Sequence, residues 1–292
     1  MKKIIFISYD TLVFICSIVL KIFDLANILK KRNEVKLKKI NKIIILCNGP
    51  SLKEDIKKIP QKISSIDIYA VNYYASTEDF FRIKPNFYFM ADAIFFGKKN
   101  TNKQSKKNNS ELFKKLLKVN WHMTICCPEG GYQFLHNKFK VNKNIIVTSV
   151  KPRSLVFKSE KLNVFSLING LSKPVFNSVF ILALWHAVRR SVNNIQVYGA
   201  DFSSFRSYSV DQISNHLYSS PKHFYKDTKV ELKSHNKFKK KQTYKKLHTR
   251  LYGVADSFFY VYLLSKVAEK RGIKLINYSK MSWIDSIKRA KF

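Results

Sequence analysis

A chain of 292 residues that is 46% hydrophobic can bury a full core, which excludes an intrinsically disordered protein and predicts one α/β domain, alone or with an appendage. With 54 Lys and Arg against 19 Asp and Glu, the formal charge is +35, so the favoured partners are polyanions: an acidic lipid surface, an anionic glycolipid or nucleic acid. Lysine outnumbers arginine, and no RNP motif, zinc-finger spacing or arginine-rich arm occurs, so a membrane surface is favoured and no nucleic acid is expected. Cys16, Cys47, Cys126 and Cys127 show neither CxxC spacing nor the framework of a secreted scaffold, and read as reduced thiols.

Residues 4–23, IIFISYDTLVFICSIVLKIF, are apolar around the helical circumference except at Ser8, Asp10, Thr11, Ser17 and Lys21, and so predict a membrane anchor. Their length suits a span of about 20 residues, whereas Asp10 near the middle suits a helix lying in the membrane plane; the pattern leaves both open. No small-residue cleavage site follows, so a retained anchor is expected rather than a signal peptide. The basic run at 30–42, KKRNEVKLKKINK, suits anionic lipid at a cytoplasmic face. Residues 1–42 are therefore separated from a folded domain at 43–292.

From Ile43 onward, short apolar runs alternate with helical stretches. Strands are predicted at 43–47, 66–72, 86–92, 122–127, 144–149, 194–201 and 273–279, with helices at 52–59, 173–191 and about 252–271. Pro174 falls where a first helical turn tolerates it. Residues 98–110, KKNTNKQSKKNNS, read as a polar loop. Residues 202–248, rich in Ser, Tyr, His and Lys with little periodicity, read as a lid or binding loop. The alternation implies a mostly parallel, Rossmann-like α/β sheet with right-handed crossovers. In such sheets the ligand sits beyond the carboxyl ends of the strands, where Asn48, Asn72, Asp92 and Asp201 fall. The turn NGPSL, with Asn48, Gly49, Pro50 and Ser51, can offer backbone amides to an anion, and Ser51 can equally serve as a helix cap. It lacks both GxGxxG and the lysine-ended P-loop, so neither NAD nor ATP is specified.

CNGPSL after the first strand, AVNYY ending the second, the helix NSVFILALWHAV, a strand ending YGADFS and the final INYSKMSWIDSIKR occur in an order that resembles two related groups. One is the bacterial CMP-sialic acid sialyltransferases of glycosyltransferase family 42; the other is the MptE-like proteins of polysaccharide clusters. The likeness covers about residues 43–287. It implies a Rossmann-like domain with a flexible lid and metal-independent, inverting transfer from a CMP-sugar donor, with no further cofactor. By the same resemblance Asn48 and Ser51 lie near the nucleotide and its phosphate, Asn72 binds nucleotide, and Asn177 and Ser178 open the helix lining the cytidine site. Tyr208 of SYSVD matches a phosphate-binding tyrosine, with Tyr225 of KHFYKD a second candidate.

Two departures are visible. Ala91 stands beside Asp92 where the family carries an asparagine. The family's catalytic histidine precedes the last helix, where this chain offers His248 about two helical turns early when counted from the final strand, so His223 competes with it. A histidine base would take the acceptor hydroxyl's proton as an oxocarbenium-like centre is captured. His186, His216 and His235 are read as non-functional. Asp201 either orients lid or ligand, or caps the turn that follows.

Three readings follow. The first is a glycosyltransferase moving a nonulosonic sugar from CMP to a lipopolysaccharide or surface-glycan acceptor at the cytoplasmic face of the inner membrane. The second is a pyrophosphokinase using ATP and Mg²⁺, for which Asp92 and Asp201 are the available acids. The third is a non-catalytic polysaccharide-assembly protein.

Overall fold

The computed structural model describes residues 9–16, 18, 19, 22, 40–56, 59, 65–97, 103–220, 230, 231, 233–236, 241–244 and 246–291. Helix α1 (residues 9–16) precedes β1 (Lys42–Leu46), the single turn α2 (Leu52–Asp55), β2 (Ile66–Val71), α3 (Asp79–Ile83) and β3 (Phe87–Phe89). There follow α4 (Lys103–Leu117), β4 (Met123–Pro128), α5 (Glu129–Phe139), β5 (Ile145–Val150), α6 (Glu160–Ile168), α7 (Val179–Val188) and β6 (Asn194–Tyr198). Short strands β7 (Tyr208–Val210), β8 (Leu217–Ser219), β9 (Val230–Glu231), β10 (Lys233–Asn236) and β11 (Lys241–Tyr244) lead to the long α8 (Leu247–Lys270) and to β12 (Lys274–Asn277).

Seven strands form one sheet in the order β12-β6-β1-β2-β3-β4-β5, and every neighbouring pair is parallel. The expected Rossmann-like α/β architecture is therefore present. The chain winds outward from β1 to β5 and then returns to lay β6 on the free side of β1. This reversal opens a crevice between the carboxyl ends of β1 and β6, the switch point at which such sheets bind ligands.

Both faces are covered over the central strands β1, β3 and β4, which is why these are near-continuous apolar runs, whereas β6, NIQVY, alternates because one of its faces is only half covered. Along β1, Ile43 and Ile45 point into a core shared with α7 and α8, while Ile44 and Leu46 point into a second core shared with α4 and α5. Helix α7, VFILALWHAV, is apolar around nearly its whole circumference because the sheet and α8 enclose it. Ile40 is buried in the first core and Lys42 pairs in β1, so the folded unit begins a few residues ahead of Ile43.

Several expected boundaries shift. The helix expected at 52–59 is one turn, and β3 spans three residues of the run 86–92. Much of the stretch read as a polar loop at 98–110 is the first half of α4. Lys106, Lys107 and Lys114 face solvent, whereas Asn109 is buried, accepting the Tyr73 hydroxyl at 2.6 Å and donating to Ile94 O at 2.7 Å, and Leu112, Phe113 and Leu116 supply the buried apolar contacts that hold the helix. The helix expected from 173 starts at Val179, with the Ser178 hydroxyl accepting the Phe180 N–H at 3.3 Å. Pro174 thus lies outside it, beside the bridge between Arg153 and Lys173. The segment 202–248 is not simply a loop: β7, β8 and β9 form a small antiparallel sheet, β10 and β11 a hairpin, and α8 begins five residues before the expected start at 252.

Among the described residues no helix is long and apolar enough to cross a membrane, so the spanning alternative at 4–23 has no support. Helix α1 instead docks on the domain. Asp10, the residue that made a span costly, is buried and accepts the Lys158 N–H at 3.0 Å, and Phe14 lies 6.4 Å from the Phe165 ring. Residues 1–8, 17, 20, 21 and 23–39 lie outside the description.

Candidate functional site

The turn after β1 is tied to the turn after β6. Gly49 N–H donates to Gly199 O at 2.8 Å, and a Cβ on Gly49 would stand 2.5 Å from both Gly199 O and Asp201 Cγ. Only glycine permits this approach. Gly199, at φ +64°, makes the matching turn; a Cβ there would meet Leu52 Cβ at 2.8 Å. Asp201 closes the pair: its carboxylate accepts the Ser51 N–H at 2.9 Å and the Ser51 hydroxyl. Ser51 does not cap α2 with its side chain, so the cap function expected of it passes to Asp201 across the crevice. Burial raises the Asp201 carboxyl above its usual range, Asp55 adds to that rise, and the two Ser51 bonds oppose it.

The carboxyl-terminal motif holds this turn from behind. Ser279 Oγ accepts the Ala200 N–H at 2.8 Å, Ser282 Oγ donates to Ala200 O at 2.7 Å, and Trp283 N–H donates to Asp201 O at 2.9 Å. Asn277 fixes both serines, donating to Ser282 Oγ at 2.9 Å and accepting the Ser279 N–H at 2.9 Å. The NYSKMSW stretch therefore acts as a bracket for the β6 turn.

Beyond β1 and β2 lie two carboxamides. Asn48 is buried; its Nδ2 donates to Val71 O at 3.1 Å, and its Oδ1 has no partner. Asn72 sits at φ +46° with its buried Oδ1 also without a partner. Asparagine tolerates this left-handed backbone better than most residues. The buried Tyr88 hydroxyl stabilises that turn by donating to Asn72 O and accepting the Ala75 N–H at 2.9 Å.

These turns wall a cleft of about 770 Å³ whose far side is the first turns of α8 and the start of β7. That size is typical of small-ligand sites. Asn48, Gly49, Pro50, Asn72, Asp92, Asn177, Ser178, Asp201 and Tyr208 all line it. Ser51 sits just behind, bonded to Asp201. Asp92 is exposed and accepts the Ile94 N–H at 3.1 Å, starting a 3-10 turn. His248 does not line the cleft; it is exposed at the second position of α8, within that helix rather than before it, its ring 6.5 Å from Tyr252. His223 and Tyr225 lie outside the described residues. His186 packs among Tyr69, Phe87 and Phe89 at the other end of the sheet, its Nδ1 3.0 Å from the Tyr69 hydroxyl. Burial, with Arg190 and Arg189 nearby, lowers its pKa to about 3.

Sequence reasoning passed over several cleft residues. Phe202 holds φ +54°, uncommon for a bulky side chain, and is pinned between the rings of Phe180 and Phe258 at 5.6 and 5.3 Å. Thr249 and Arg250, next to the histidine that drew attention, line the cleft where His248 does not. Arg250 Nη2 donates to the Tyr208 hydroxyl at 3.2 Å. Nothing in the pattern KKLHTRLYG separates this arginine from its basic neighbours; only its inward placement does. Among the described residues, no group of three or more His, Cys, Asp or Glu side chains is arranged to hold a metal ion.

No protein-family model matches the sequence, and no curated protein matches it. Fold and cleft together define an α/β protein with a fully parallel sheet and a cleft of ligand size at its switch point.

Proposed function

We propose that the protein is a glycosyltransferase that binds a CMP-activated nonulosonic sugar in the switch-point cleft and transfers it to a lipopolysaccharide or surface-glycan acceptor. The observation that carries the reading is the pair of orphaned carboxamide oxygens, Asn48 Oδ1 and Asn72 Oδ1, in the cleft wall. A buried acceptor without a partner costs about 1–3 kcal/mol, a cost removed when the carboxamide turns its oxygen toward the cleft to meet a ligand N–H or O–H donor. A nucleoside supplies such donors through its exocyclic amine and ribose hydroxyls. The Asn177–Ser178 opening of α7 and Tyr208 lie on the same cleft, as the resemblance implies for a cytidine and phosphate site. In this reading the base is His248 or His223. Asp201 acts as a structural clamp, because both its oxygens are engaged by Ser51.

An in-plane anchor brings the cleft to a membrane-bound acceptor. Supporting it, α1 turns Asp10 inward and leaves Leu12 and Ile15 exposed, with Ile18, Val19 and Ile22 exposed beyond it. The excess of lysine favours anionic lipid at the cytoplasmic face of the inner membrane. The pyrophosphokinase alternative shares the carboxamide pair, since adenosine carries the same kinds of donor, and differs in requiring magnesium.

A thermal-shift panel of CMP, CDP, UDP, GDP and ATP, each with and without magnesium, tests the reading. Stabilisation by CMP without a magnesium requirement is expected. A shift by ATP that needs magnesium, with none from CMP, would replace this proposal by the kinase alternative.

A further inference from the structure

Arg250 is the only cationic side chain among the described residues lining the cleft, and no described carboxylate forms an ion pair with it. It is half-buried, and its Nε is fully enclosed without a hydrogen-bond partner. The guanidinium carbon stands 5.6 Å from the Tyr208 ring centre, and Nη2 donates to the Tyr208 hydroxyl, which leaves that hydroxyl's own proton free to be donated. Around it, the first turn of the 24-residue α8 contains no acidic residue, and Lys246 at its N-cap makes no side-chain cap. An arginine held in a cleft at the positive end of a long helix, without an ion pair to a described carboxylate, is suited to an anionic ligand.

We propose that Arg250, with the Tyr208 hydroxyl, forms the oxyanion-binding end of the cleft, opposite the carboxamide end made by Asn48 and Asn72. Arginine presents several N–H donors in a rigid fork, and only an Nη2–H of Arg250 is committed, to the Tyr208 hydroxyl, which leaves the other Nη donors for an anionic oxygen. The ligand is then bifunctional: hydrogen-bond donors at one end and a phosphate or carboxylate at the other. In an activated nonulosonic sugar both anions occur, as the bridging phosphate and as the sugar carboxylate. Arg250 neutralises one of them, and for a departing phosphate it would stabilise the charge that develops. This inference rests on the nucleotide-donor reading for the identity of the ligand, though not for its charge.

The test is calorimetry on the full chain with cytidine, CMP, the free nonulosonic acid, ATP and inorganic pyrophosphate, for wild type, Arg250→Gln, Arg250→Lys and Tyr208→Phe. The expected result is a loss of about 10- to 100-fold in CMP affinity for Arg250→Gln, with cytidine binding unchanged and Arg250→Lys between the two. Weakening of the free acid alone assigns the carboxylate to Arg250 and supports the oxyanion site equally. If neither cytidine nor CMP binds the wild type, the nucleotide reading falls, while pyrophosphate or ATP binding that Arg250→Gln weakens still upholds the anion site. Anion affinities equal in wild type and Arg250→Gln, or no anion binding to the wild type, would overturn it; unchanged cytidine binding or a matching melting profile verifies that each variant is folded.

Discussion

At Asn72 the positive φ and the uncommitted side chain must be separated before either is tested. Alanine at φ +46° would add backbone strain of about 1 kcal/mol, so a simple truncation would confuse folding with binding. Asn72→Gly keeps the turn and removes the carboxamide. We expect little change in its melting temperature and a loss of nucleotide affinity of about 1–2 kcal/mol, read by calorimetry. His186 makes the opposite kind of prediction, about stability alone. Its folded pKa lies near 3 against 6.5 for the free side chain, so between those values the unfolded chain binds a proton that the folded chain does not. Stability therefore rises with pH through this window and is lost as pH falls from 6.5 toward 3. Urea unfolding across that range should give a slope in His186→Phe shallower than wild type by up to about 1.4 kcal/mol per pH unit.

Among the elements, the turn leaving β2 depends on a residue from β3. Tyr88 both donates to Asn72 O and accepts from Ala75 N–H, so Tyr88→Phe removes two hydrogen bonds that hold this turn. A loss of about 1–3 kcal/mol in denaturant unfolding is expected, together with weaker nucleotide binding as the Asn72 turn relaxes. Helix α8 carries the catalytic prediction. His248 and Arg250 share its first turn, but Arg250 lines the cleft and His248 stands exposed beside it. If His248 is the base that removes the acceptor proton, His248→Ala lowers kcat by about 10² to 10⁴ and leaves CMP affinity unchanged. The same loss in His223→Ala instead assigns the role to the other histidine, and full turnover in the double variant removes histidine base catalysis from the account.

For the whole molecule, charge and apolar surface act together. Removing residues 1–39 deletes the outward-facing Leu12, Ile15, Ile18, Val19 and Ile22 and most of the basic run, while keeping the buried Ile40 and all of β1. Vesicle sedimentation should show the full chain bound to anionic liposomes, less so at high salt, and the shortened chain largely released. Equal retention of both chains would place the membrane contact elsewhere on the basic surface. The deletion also frees Lys158 N–H from Asp10, so circular dichroism should accompany it to verify the fold.

What the amino-acid order determined alone was the parallel sheet and the address of its cleft. Runs such as IIILC are apolar at every position because both sheet faces are covered, and the polar residue ending each run marks a carboxyl end. Asn48, Asn72, Asp92 and Asp201 could thus be placed at one rim before any coordinate was known. Tertiary structure decided what each does there. Asp201 is occupied by Ser51, Asn48 and Asn72 are left with unpartnered oxygens, and the final NYSKMSW stretch proves to be a bracket for the β6 turn. Helix α4 escaped notice because its buried apolar residues fall in its second half, and Arg250 because one basic residue among many has no periodic signature. The reason is the same throughout: hydrophobic period records which face of an element is buried, but a polar side chain's role is fixed by its partner, and Ser51 and Asp201 lie 150 residues apart in the chain.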